Sequence, residues 1–184
     1  MPRLVVLNGP PGVGKSTQAR LYAQDHPFAL VAELDVLRST LGGWRSEPGR
    51  ATLLARKLTL AAAAEHLAAG YDVLLPQFLG NPAFHAEAAD VAEQAGAEFF
   101  EFVLTDDRDT VLRRFHARNN APDAETVHVE MGVLVDELGG DDTLGRMFDR
   151  LLQVINARPT AHVIHCPEGA ADEVQRRLRE VMHA

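Results

Sequence analysis

With 184 residues, the chain is long enough for one domain with a full core and short for two. Hydrophobic residues make up 46% and charged residues 24%, as in globular proteins, and no apolar run approaches a membrane span. A net charge of −8 argues against nucleic acid as the main partner, and the single Cys166 excludes an internal disulfide; with no signal-peptide pattern after Met1, a cytoplasmic location is the expectation.

In chain order, apolar β-rich runs fall at 3–7, 28–33, 71–75, 98–104 and 161–165. Helix-like segments fall at 15–26, 50–69, 82–96, 107–119, 124–138, 143–157 and 170–183. This alternation predicts an α/β domain, 1–184, with a parallel sheet and crossover helices. Gly70 and Gly96 stand where helix C-caps belong, each just before a strand. The polar breaks NNAPD (119–123) and GGDD (139–142) bracket one predicted helix, and this insertion at about 119–142 is the expected lid.

The first run leads into GPPGVGKST, which fits G-x-x-x-x-G-K-[ST] at Gly9, Gly14, Lys15 and Ser16. Glycines there let several N–H groups turn toward one concavity, and the following helix aims its positive end at the same place. All but two of the 18 basic residues are arginine, so Lys15 stands out as a compact ammonium able to reach terminal phosphates. A dinucleotide loop of G-x-G-x-x-G type would lack its third glycine and leave Lys15-Ser16 unexplained. A plain strand-to-helix turn would leave the whole pattern unexplained. The loop, including Gly12, Val13 and Thr17, is therefore expected to hold a nucleoside triphosphate, ATP or GTP, with the Ser16 hydroxyl on Mg²⁺.

The second run ends in AELDVLR. Ligands bind beyond the carboxyl ends of parallel strands, so Asp35 should emerge beside the phosphate loop. There it can take the proton of an attacking hydroxyl or place Mg²⁺ through water, and it can equally cap the helix that follows. Glu33, its neighbour of opposite pleat, is the less favoured acid. Arg38 lies one helical turn on, and Trp44 and Arg45 follow in a Gly-Gly loop. These three suit an acceptor pocket, with surface packing as the alternative.

The third run ends in Pro76 and Gln77, where many triphosphate enzymes carry an acid for the metal. Metal placement would then rest on Ser16, Asp35 and water, while Gln77, Phe78 and Asn81 suit the acceptor. After the fourth run, Asp106 or Asp107 can cap a helix whose buried stripe is Val111, Leu112 and Phe115. Arg114 and Arg118 share a face of it, with Arg113 one step round. They can close over a triphosphate, or form a solvated face paired with acids. Arg118, nearest the lid, is the foremost candidate, and Arg114 comes next. The eight histidines show no metal-ligand spacing. The 166–169 loop could border the nucleotide base.

On these residues the chain resembles the small phosphoryl-transfer kinases of the P-loop superfamily, such as chloramphenicol phosphotransferase-like, zeta-toxin-like and gluconate-kinase-like proteins. The resemblance is specific at 9–17, moderate at Asp35 and loose at 113–118. It implies a three-layer fold with a five-stranded parallel sheet in the order 2-3-1-4-5, helices on both faces and a helical lid. It further implies ATP at the loop, Asp35 activating an acceptor hydroxyl, and lid arginines matching Arg114 or Arg118 on the phosphates. The expectation is a kinase of a small molecule (an antibiotic, sugar or nucleoside), acting as monomer or homodimer. The rivals are a nucleotide-dependent switch and a toxin-like kinase of a nucleotide sugar.

Overall fold

The computed structural model describes residues 1–78, 82–158 and 160–183. Among them are the strands β1 (Arg3–Asn8), β2 (Leu30–Val31), β3 (Val73–Pro76), β4 (Glu98–Thr105) and β5 (His162–His165). They form one sheet in the order β2-β3-β1-β4-β5, and every pairing is parallel, as the resemblance implied. The helices are α1 (Lys15–Asp25), α2 (Leu34–Ser39), α3 (Pro48–Ala68), α4 (Pro82–Gln94), α5 (Arg108–Asn119), α6 (Thr126–Glu137), α7 (Asp141–Ala157) and α8 (Ala171–Met182).

The two-residue period of β1 sorts its side chains into two cores. Val5 and Leu7 pack with Ala19 and Tyr22 of α1 and Val174 and Leu178 of α8. Leu4 and Val6 face the other way, onto Ala55, Ala63 and Leu67 of α3 and Phe84 of α4. Burial on both faces explains why this run reads as continuously apolar. A third cluster joins Phe115 of α5, Val135 of α6 and Leu144 of α7, and it seats the helical lid on the domain.

A buried charge ties the end of α7 to the sheet. Glu101 of β4 accepts a hydrogen bond from Arg158, the residue after α7, at 2.7 Å, and lies 2.7 Å from His85 of α4. Burial pushes the Glu101 carboxyl up, but these two partners outweigh it and hold it below the usual carboxylate range.

Three expectations are corrected. The second strand spans two residues rather than six, because Phe28 sits at φ 65, off the strand path. A short helix, α2, starts at Leu34, and its N-cap position is Glu33, so Asp35 sits in the first turn and does not cap it. The last helix before β5 begins at Asp141, inside the GGDD break, because Gly139 and Gly140 alone make the turn and the two aspartates favour the positive helix end. Gly70 and Gly96 follow α3 and α4 with positive φ, as expected of C-cap glycines.

Candidate active site

The phosphate loop is shaped by close backbone approach. Gly12 has φ 89, and a Cβ there would fall 2.8 Å from the Val111 carbonyl oxygen and 2.9 Å from the Phe115 amide nitrogen. Only glycine fits, so the loop rests directly on α5. That contact brings the arginines of α5 to the phosphate loop. Val13 is fully buried in the core below and anchors the loop's tip. Helix α1 then begins with Gly14 at its N-cap, no capping side chain and no acid in its first turn. Its leading amides therefore lack a side-chain partner and face the loop's concavity, which favours an anion.

Two cavities meet at this helix end. One, of about 270 Å³, is lined by Gly12, Gly14, Thr17, Arg20 and Arg114, together with Lys15, Ser16, Arg118 and His128. The other, of about 260 Å³, shares those last four residues. It continues past Glu33, Asp35, Arg38, Gln77 and Phe78 to an end formed by the lid. The first is cationic and lies over the helix N-terminus. The second holds both carboxylates of the Glu33-Leu34-Asp35 stretch.

The four residues of the junction are half-buried. Lys15 folds back to donate to the Pro10 carbonyl at 2.9 Å. Burial first, and the charge of Arg118 second, bring its ammonium down to about 7, against the opposing pull of Asp35 and Glu33. Burial first, and the charge of Arg118 second, also lower the His128 imidazole.

Ser16 donates to Glu33 Oε2 at 2.8 Å, and Arg20 donates to the other Glu33 oxygen at 3.0 Å. The same Arg20 donates to Glu125, at the N-terminus of α6, at 2.8 Å. This chain of contacts couples the phosphate loop to the lid. A second tie runs from Arg45 to Glu130 of α6 at 2.6 Å. Asp35 pairs with Arg38 at 3.3 Å. Arg38 is itself buried, stacked 4.9 Å over the Trp44 ring and in reach of the Thr52 hydroxyl at 3.5 Å. The Asp35 carboxylate is thus held by a fixed guanidinium on one side and open to the cavity on the other.

Most of the residues expected from the sequence converge here. Arg114 lines the phosphate-side cavity, fixed by Asp106 at 3.1 Å and the Cys166 carbonyl at 2.9 Å, while no residue of the 166–169 loop lines it. Arg118 lines both cavities. The Gln77 amide bonds the Leu7 carbonyl and extends the sheet edge into the second cavity. Trp44 and Arg45 lie outside the lining. Trp44 is a buried platform for Arg38 and Arg45, and Arg45 reaches outward to the lid. Arg113 points away to Glu168 at 3.5 Å. Asp107 caps α5 by accepting from the Thr110 amide. Asn81 lies outside the described residues.

The pleat rule that separates Glu33 from Asp35 applies only within a strand, and β2 stops at Val31, so both carboxylates line the second cavity. Arg20 carried a legible signal, since it is four residues after Ser16 and shares its helix face. The lid's His128 and apolar residues carried none.

Among the described residues no cluster of three or more His, Cys, Asp or Glu could hold a metal unaided. The Ser16 hydroxyl and the Glu33 carboxylate still suit Mg²⁺, which keeps several waters and takes one or two protein oxygens plus phosphate. No described helix is long and apolar enough to cross a membrane.

The sequence profile of the AAA domain family matches residues 4–136. No curated protein matches the chain significantly. Among solved structures, the Deinococcus radiodurans tunicamycin resistance protein superposes with a TM-score of 0.61 at 18% identity, covering 99% of this chain and 96% of its own. A gluconokinase from Sinorhizobium meliloti gives 0.62 at 16% identity, with 99% and 96% covered. Mycobacterium tuberculosis APS kinase, solved with AMPPNP and APS, gives 0.62 at 17% identity, with 100% and 98% covered. At these identities the likeness is one of fold, and the strand order 2-3-1-4-5 is the one expected from the sequence.

Proposed function

The chain belongs to the AAA domain family, and from that membership and the paired cavities we propose that it is an ATP-dependent kinase that transfers the γ-phosphoryl group to a hydroxyl of a small molecule in the cytoplasm. One observation carries the reading. The phosphate-side cavity and the acceptor-side cavity are separate volumes that share Lys15, Ser16, Arg118 and His128 as their common wall. A phosphoryl group crossing that wall passes between the two cations.

The α1 amides and Lys15 hold the phosphates. Arg118, with Arg114 behind it, neutralises charge that spreads over the transferring group. Asp35 is positioned by Arg38 to accept the acceptor's proton, and closure of α6 excludes water that would otherwise compete as nucleophile. Mg²⁺, when bound, would offset phosphate charge, held by the Ser16 hydroxyl while Glu33 accepts the serine's hydrogen bond. Glu33 thus stands in for the third-strand acid whose place is taken by Pro76 and Gln77.

Incubation of the chain with ATP, Mg²⁺ and a panel of hydroxylated metabolites and antibiotics, read by mass spectrometry, tests the proposal. A kinase yields one acceptor heavier by a phosphoryl group. Release of inorganic phosphate with every acceptor unchanged would instead favour a hydrolytic switch. The role of Glu33 has its own test. Glu33→Gln is expected to raise the Mg²⁺ concentration for half-maximal turnover by about 10–100-fold, the usual cost of losing a partner behind a metal ligand. Titration of free Mg²⁺ at saturating ATP measures it, and an unchanged midpoint would remove Glu33 from the metal's surroundings.

A further inference from the structure

The acceptor-side cavity is chemically divided, and the division identifies what it takes. Its far wall is built from Val127, Met131, Leu134 and Val135 of α6, Leu138 at its C-cap and Met147 of α7. Two polar side chains of the lid also line it, and neither serves that wall. His128 belongs to the junction with the phosphate-side cavity. The Thr143 hydroxyl donates to the Leu138 carbonyl at 2.6 Å and accepts from Arg146 at 2.8 Å, so it is committed within the lid. At the other end, Arg38 is neutralised by Asp35 at 3.3 Å and stacked on Trp44.

We infer that the acceptor is an uncharged alcohol whose hydroxyl sits on an apolar body, aromatic or branched aliphatic, and that sugars and sugar acids are excluded. The inference rests on the kinase reading and narrows it. The hydroxyl meets Asp35 while the body lies along the lid. A polyol in that position would turn its remaining hydroxyls against a wall with no partner for them, at a cost for each. Of the cavity's two arginines, a sugar acid would find Arg38 already paired with Asp35, and Arg118 donating to the Asn119 side chain at the junction with the phosphate-side cavity. Met131 and Met147 are polarizable and adaptable, which suits ring systems of varied outline. At about 260 Å³ the cavity lies just below the range of drug-sized pockets, so the body is one or two rings.

The test uses the neutral fluorophore N-phenyl-1-naphthylamine and the full chain. Wild type is expected to bind it. Leu134→Asp should weaken binding at least about tenfold, the scale of one apolar group lost from a pocket. Leu138→Asp should act in the same direction, and since Leu138 is 60% exposed this variant keeps its fold. Thermal unfolding of both variants checks that point. Apolar alcohols should displace the dye at concentrations where D-glucose and D-gluconate do not. Absence of dye binding, equal binding by both variants, or displacement by gluconate would overturn the inference. The same compounds, incubated with ATP and Mg²⁺, separate the two claims. Phosphorylated gluconate would keep the kinase and sink the apolar acceptor. Dye displacement with no phosphorylated product would do the reverse.

Discussion

Asp35→Asn is expected to slow phosphoryl transfer by about 10²–10⁴-fold while leaving MgATP affinity within about threefold of wild type. The asymmetry follows from where the residue sits. Asp35 lines the acceptor-side cavity and is absent from the lining of the phosphate-side one. Its amide replacement keeps the shape of the wall and a partial contact with Arg38, but it cannot take a proton. Product formation at saturating acceptor gives the rate, and calorimetry gives the affinity. Turnover within about tenfold of wild type would leave positioning alone to explain catalysis, since a general base contributes more than that. A parallel collapse of nucleotide affinity would mean that Asp35 acts on the metal instead. Trp44→Leu makes a useful companion, because it removes the platform under Arg38 while keeping the carboxylate. A fall in turnover there, with the pH profile unmoved, would assign the Asp35–Arg38–Trp44 stack to orientation.

The parts of this site legible in the sequence are those whose physics is local. The phosphate loop is written in consecutive residues, because glycine conformation, helix polarity and an ammonium act within one strand-to-helix turn. Asp35 could be placed by a rule of parallel sheets that needs only the strand's end. Glu33 could not. Its role depends on β2 breaking off at Val31, and nothing in FALVAE announces that a non-glycine residue, Phe28, bends the chain at the start. The stripe of α6 is a different kind of loss. Residues 127, 131, 134, 135 and 138 repeat as the apolar face of any amphipathic helix does, and whether such a face meets a core or a cavity is settled by tertiary placement. Trp44 illustrates the same limit. A tryptophan flanked by arginines reads as a ligand platform, but here the arginines themselves occupy its ring.

Lys15→Met should weaken MgATP binding by about a hundredfold, the upper range for one charge-assisted contact, and should at the same time stabilise the nucleotide-free fold. The second effect is a consequence of the first residue's burial. Lys15 is held near the two cavities' common wall with its ammonium at about 7, against an ordinary 10.5. The sign is set by proton counting. Between those two values the unfolded chain binds more protons than the native one, so wild-type stability rises with pH across that window. Below it, the native state carries a desolvated charge that methionine of similar length does not. The variant's melting temperature should therefore exceed that of wild type by several degrees at about pH 6, each kcal/mol being about 2–4 °C in a domain of this size, and the gap should close toward pH 10. Phosphates entering the loop supply the missing counter-charge and raise the ammonium again, so wild type must take up protons as MgATP binds at about pH 8, where the ligand itself is fully ionised. Calorimetry in two buffers of different ionisation enthalpy reads that uptake directly. Buffer-independent heats in wild type, or a variant that melts no higher than wild type at low pH, would mean that Lys15 is already solvated and charged before nucleotide arrives.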